Sequence, residues 1–109
     1  MYEAIDASSL NAFSHLDREQ AEASARNADL SKPFGGVPIG VKELDAVTGW
    51  PDSHASVPLK DQVAGHTSTM VERIRNHAGA VLVGQTTPVE FSLKIASVAE
   101  NITVTGASP

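Results

Sequence analysis

The sequence predicts an α/β fold with a strand-helix-strand crossover unit, and three observations predict it. Val37, Ile39 and Val41 alternate along Val37-Pro38-Ile39-Gly40-Val41-Lys42 and share one face of a strand. Met70, Val71, Ile74 and Ala78 form the apolar face of a helix from about Thr67 to Ala78. Ala80-Val81-Leu82-Val83-Gly84 is a short apolar run ending in glycine, which suits a strand buried on both faces. Strand, helix and strand with a long connection is the order of a parallel crossover.

Taken in order, the chain starts with Leu10-Asn11-Ala12-Phe13-Ser14 as an extended lead-in anchored by Phe13. Asp17-Arg18-Glu19-Gln20 reads as a capping box, with the Asp17 carboxylate available to the exposed amides of a helix start. Ala21, Ala25 and Ala28 then repeat at helical spacing, and good helix formers continue to about Leu30. Ser31-Lys32-Pro33-Phe34-Gly35-Gly36 cannot continue a helix. Pro38 places the following strand at an edge or puts the proline among its first residues, because proline donates no ladder hydrogen bond. Gly49 to Pro58 reads as a loop broken by Pro51 and Pro58. Thr67 or Ser68 caps the second helix and Gly79 supplies its left-handed stop. Beyond Ser92 the pattern is weak, with one alternating stretch at Ile102-Thr103-Val104-Thr105, and residues 95–109 read as a tail.

Composition narrows the function classes. The 109 residues are 41% hydrophobic and 19% charged, the length and apolar share of one modest globular domain. Eight basic against thirteen acidic side chains leave a net charge of -5, which argues against a nucleic-acid or anionic-membrane partner. No cysteine is present, so there is neither a disulfide framework nor a thiolate metal site. The apolar run from Ala78 to Val83 is far too short to span a bilayer, and the first residues lack the basic start and apolar stretch of a signal peptide. The expectation is a soluble, cytoplasmic protein. With three Phe, one Trp and one Tyr, its core must be built mostly from Val, Ile, Leu and Ala.

Lys42 is the strongest catalytic candidate. It ends the predicted strand, and open α/β sheets place ligands at the carboxyl ends of their strands. A lysine withdrawn from water has a lowered pKa and can act as a general base. The alternative reading lets Lys42 reach solvent and pair with Glu43 or Asp45.

Gly36-Val37-Pro38-Ile39-Gly40-Val41-Lys42-Glu43 resembles the first hallmark of the amidase signature family, a glycine-aliphatic-proline run ending in lysine and an acid. Gly49-Trp50-Pro51-Asp52-Ser53-His54-Ala55-Ser56 resembles the family's loop of glycine, apolar residue, proline and small residues ending in serine, with Asp52 and His54 as departures. Thr67 to Thr86 resembles its arginine-bearing helix and buried strand, with Gln85 where a lysine is common, and Glu90-Phe91 matches its glutamate-phenylalanine pair. Leu10-Asn11-Ala12-Phe13 and Asp17 fit the approach to the family's first helix. The likeness covers roughly residues 10–94.

The resemblance implies an amide hydrolase built on a large mixed sheet covered by helices, of which this chain would be the amino-terminal part. It also implies that Lys42 is the base of a Ser–cis-Ser–Lys triad. That lysine takes a proton from a bridging serine, which in turn activates a nucleophilic serine against an amide carbonyl. The family's bridging serine lies in a glycine- and serine-rich segment downstream of the Glu-Phe pair, and neither it nor the nucleophile has a counterpart here. Ser92, Ser97 and Ser108 read as surface serines. The expectation is an amidase fragment that carries Lys42, acts on a small-molecule amide only within a longer enzyme, and needs no cofactor. The alternative is a stand-alone α/β domain used for binding or for complementing a partner chain. The family also includes the glutamine-hydrolysing component of tRNA-dependent amidotransferases, a branch to which the acidic charge lends no support.

Other candidates are weaker. His15, His54, His66 and His77 lack helical metal-ligand spacing. Asn101-Ile102-Thr103 is a formal glycosylation sequon without a secretory signal. Gly35-Gly36 precedes a strand, whereas a phosphate loop needs its glycines between strand and helix. Arg73 and Arg75 are expected on the solvated side of the second helix, near acids.

Overall fold

The computed structural model describes residues 1–87 of the 109. Its helices are α1 (Tyr2–Asp6), α2 (Arg18–Arg26) and α3 (Thr69–Glu72), the last continued by a π-helical turn over Arg73–His77; a short 3-10 turn covers Val57–Leu59. Its strands are β1 (Phe13–Leu16), β2 (Pro38–Lys42) and β3 (Val81–Thr86). They form one mixed sheet in the order β1-β3-β2, with β3 antiparallel to β1 and parallel to β2. The α/β class is therefore as expected, and the chain between the parallel neighbours β2 and β3 carries α3. No helix among the described residues is long and apolar enough to cross a membrane.

Strand β3 is central because it is apolar on both sides. On one face Leu82 packs with Val41, Val47, Trp50 and Val71, and Ile39 lies at the margin of that cluster. On the other, Val81 and Val83 pack with Ala21, flanked by Tyr2 and Phe13. Trp50 is the one large ring fully inside among the described residues; the rest of that core is valine, leucine and alanine. Burying such a side chain contributes about 1.5–3 kcal/mol, so a strand used on both faces is a large apolar reservoir for so short a chain. Gly84 is required by close approach, since a Cβ there would lie 2.1 Å from the His15 carbonyl oxygen.

Several elements differ from the sequence-based expectation. The lead-in at Phe13 becomes a hydrogen-bonded strand, because Phe13, His15 and Leu16 gain partners in β3 that no local pattern announces, with Ser14 left over as the extra residue. The first helix stops at Arg26 rather than near Leu30: Asn27 closes it with its Nδ2 donating to the Ala23 carbonyl at 2.9 Å. Only Ala21 of its alanine face is buried, and Ala25 is exposed, because α2 meets the β3 cluster through its first turn alone. The second helix begins at Thr69 with Ser68 at its N-cap, but Ser68 Oγ caps nothing and Thr67 Oγ1 instead accepts from the Thr48 amide at 3.0 Å. Met70 leaves the core, since the covered stripe is the narrow one through Val71 and Ile74. Arg73 is exposed as expected, but Arg75 is half-buried, and its Nε donates to Asn76 Oδ1 at 3.3 Å rather than to an acid. Gly79 does adopt the left-handed stop, at φ +81°. Pro38 is the first residue of β2, as one of the two readings had it, and β2 is outermost among the described strands. Glu90-Phe91, the Ile102–Thr105 stretch, the sequon and Ser92, Ser97 and Ser108 lie outside the described residues.

Asp17 joins the two layers. Its Oδ1 accepts from the Gln20 amide at 3.2 Å to cap α2, and its Oδ2 accepts from the Trp50 indole at 2.8 Å. Asp17→Ala is expected to destabilise by about 2 kcal/mol, roughly half from the lost cap and half from the stranded indole N–H. The midpoint of urea unfolding measures this, and Asp17→Asn, which still caps, should cost clearly less.

Arg18 forks onto both Asp6 oxygens and lies over the Tyr2 ring at 4.7 Å, tying α1 to α2. That hydrogen bonding holds the Asp6 carboxyl below the ordinary carboxylate range. A lowered carboxylate contributes stability above its unfolded value and loses it as pH falls through the folded one, so the α1 contact loosens in acid and not in alkali. In an NMR titration Arg18→Gln should return Asp6 to the ordinary range, and high salt should shrink the difference.

Candidate active site

The carboxyl end of β2 carries the candidate base. Lys42 is the last residue of β2 and pairs in register with Thr86 of β3. Alternation along the strand sends it to the face opposite Ile39 and Val41, and its side chain is exposed. Neither Glu43 nor Asp45 pairs with it, so the solvent part of the alternative reading holds here and the ion-pair part does not. No described hydroxyl is hydrogen-bonded to its ammonium, so the residues described supply a lysine without a nucleophile.

Glu43 goes the other way. It is 8% exposed, and its Oε1 accepts a short hydrogen bond from Ser53 Oγ. Burial of a carboxylate is tolerable when a donor meets it, and Ser53 is that donor. Ser53 is thereby turned toward Glu43. Together with Ser14, Ser56 and Lys60 the pair lines an open groove beside the strand end.

The loop that carries Ser53 is closed upon itself and pinned from below. Asp52 N donates to the Gln62 carbonyl and Ala64 N to the Trp50 carbonyl, each at 2.9 Å, and Pro51 bridges to Val63. Trp50 reaches Asp17, and its ring tilts against His15 with centroids 5.2 Å apart. Gln85 Nε2 donates to the Pro51 carbonyl at 3.0 Å. His54 Nε2 lies 3.2 Å from Asp52 Oδ1, so the two departures from the resembled loop motif pair with one another. No group of three His, Asp or Glu side chains able to hold a metal ion is found among the described residues. Lys42 is legible from the sequence, whereas Glu43 and Gln85 gain a role only here; the one available signal was a glutamine directly after an apolar run.

The amidase family model matches residues 1–106. The chain belongs to the amidase family. It is 41% identical over 99 residues to a glutamyl-tRNA(Gln) amidotransferase subunit of Acidobacterium capsulatum, covering 83% of this chain and 21% of that protein. It is 38% identical over 82 residues to the corresponding subunit of Methylacidiphilum infernorum, covering 75% and 16%. To an acylamidase of Rhodococcus erythropolis it is 35% identical over 101 residues, covering 83% and 20%. The chain thus spans between about a sixth and a fifth of the length of these curated amidase relatives.

The loop bears local strain. His54 and Ala55 take φ of +49° and +56°, the left-handed region that L-residues disfavour by roughly 1–2 kcal/mol each. Ala55→Gly is therefore expected to raise stability by up to about 1 kcal/mol after the extra chain entropy of glycine is subtracted. Gly49→Ala, at φ +85° in open space, should lower stability by about the same amount. Opposite shifts in the unfolding midpoint of these two variants check both.

Proposed function

We propose that residues 1–109 contribute the general base of an amide C–N hydrolase, with Lys42 as that base in a Ser–cis-Ser–Lys arrangement whose two serines come from polypeptide beyond this sequence. Neutral Lys42 accepts the proton of the bridging serine. The bridging serine then takes the proton of the nucleophilic serine as its oxygen attacks the carbonyl carbon. Collapse of the tetrahedral adduct expels the amine, which leaves with the proton that Lys42 returns through the bridging serine, and water then releases the acyl group as a carboxylic acid.

The observation that carries this reading is the place of Lys42: the carboxyl end of a parallel strand, free of an acid partner among the described residues, in a chain of the amidase family. Its exposure here means that the desolvation a basic lysine needs has to come from the remaining polypeptide. The relatives' names, an acylamidase and amidotransferase subunits, both describe amide chemistry and support a carboxylic amide as substrate class.

In the natural polypeptide containing these residues, Lys42→Ala should lower kcat for a simple aryl amide by about 10²–10⁴-fold. Lys42→Arg should not restore it, because a guanidinium holds its proton. Residues 1–109 alone should give no turnover. Undiminished activity of Lys42→Ala, or turnover by the short chain, overturns the assignment.

A further inference from the structure

We infer that Gln85 is a positioning residue for Lys42, acting through the loop that crosses the carboxyl edge of the sheet; this rests on the reading of Lys42 as the base. Gln85 is 0% exposed, and its Nε2 donates to the Pro51 carbonyl, 34 residues away in sequence, at 3.0 Å. Its Oε1 is buried with no hydrogen-bond partner among the described residues, so this costly amide is held in the sheet by that one bond. An irregularity of the strand aims it. Ile39 pairs with Leu82 while Gly40 pairs with Gly84, which leaves Val83 as an extra residue on β3. Strict alternation from Leu82 would turn Gln85 to the side of Val81 and Val83. The extra residue turns it instead to the side of Leu82 and Trp50, where Pro51 lies.

From Pro51 the link returns to β2. Two residues on, Ser53 Oγ donates to the buried carboxylate of Glu43. Glu43 directly follows Lys42, and Lys42 pairs with Thr86, the neighbour of Gln85. The circuit through Gln85, Pro51, Ser53, Glu43, Lys42 and Thr86 is therefore closed. Glu43 is the first central residue of the turn that the Asp45 amide closes on the Lys42 carbonyl at 2.9 Å, so holding Glu43 against the loop fixes the backbone from which Lys42 projects. The Lys42 side chain makes no hydrogen bond among the described residues, and this backbone circuit is what sets its direction.

Steady-state hydrolysis of a simple aryl amide by the natural polypeptide containing residues 1–109 tests this. Gln85→Met keeps the volume and removes the donor; Ser53→Ala opens the circuit at its other end; Ser53→Thr keeps the hydroxyl. The first two should each lower kcat by about ten- to a hundredfold with KM changed by less than about twofold. The double variant should fall no further than the worse single one, because both break one circuit. Ser53→Thr should retain wild-type kcat. Lowered melting temperatures with unchanged kcat, or multiplicative losses in the double variant, overturn the positioning role. If Gln85→Met does not fold, the contrast between Ser53→Ala and Ser53→Thr decides alone: loss in the first and retention in the second supports the circuit, and equal kcat overturns it. Lys42→Ala separates the two readings. If it retains turnover, the base assignment fails and this inference with it; if it abolishes turnover while Gln85→Met and Ser53→Ala keep wild-type kcat, the positioning role alone fails.

Discussion

Strand β3 is hydrogen-bonded along both edges and covered on both faces, so Val81 through Gln85 are shielded from water on every side. That double burial is the constraint on which the rest depends. An isolated pair of strands could cover one face of such a run at most, and a strand apolar on both faces requires a layer on each side. Tyr2, Ala21 and Phe13 supply one layer; Val47, Trp50 and Val71 supply the other. Parallel pairing with β2 then places the two carboxyl ends, Lys42 and Thr86, side by side.

Polar side chains from all three strands meet one loop. Asp17, Gln85 and Glu43 stand at or near the ends of β1, β3 and β2, and each meets a group in the segment Trp50–Ser53. One loop is therefore held by all three strands. Buried polar groups of this kind are costly unless paired, but a paired set has few alternative arrangements, and it fixes a loop more narrowly than apolar contact would. The strain at His54 and Ala55 follows from that fixation, because the chain must turn sharply between an anchored Ser53 and the 3-10 turn at Val57.

Legibility in the sequence followed local signal strength. The alternation of Val37, Ile39 and Val41 and the run from Ala80 to Gly84 are strong periodic signals, and both became strands within a residue or two of the expected bounds. Asp17 as a cap and Gly79 as a left-handed stop were readable because each acts on its own neighbours. Strand β1 was not readable, since Phe13-Ser14-His15-Leu16 carries no alternation and exists as a strand only because β3 offers it an edge. The early end of α2 and the exposure of Ala25 and Met70 were hidden for a related reason: periodicity gives the face of a helix but not how much of it a neighbour covers.

The sequence by itself determined the α/β class, the family resemblance, and Lys42 as the residue at the end of a strand, because these rest on runs and motifs of adjacent residues. Tertiary structure alone decided that Glu43 turns inward to Ser53 and that Gln85 reaches Pro51. For Gln85 the physical reason lies in a single extra residue on β3: one step of register reverses the face of every side chain after it, and no local preference in Val83 or Gly84 records which partner strand will impose it.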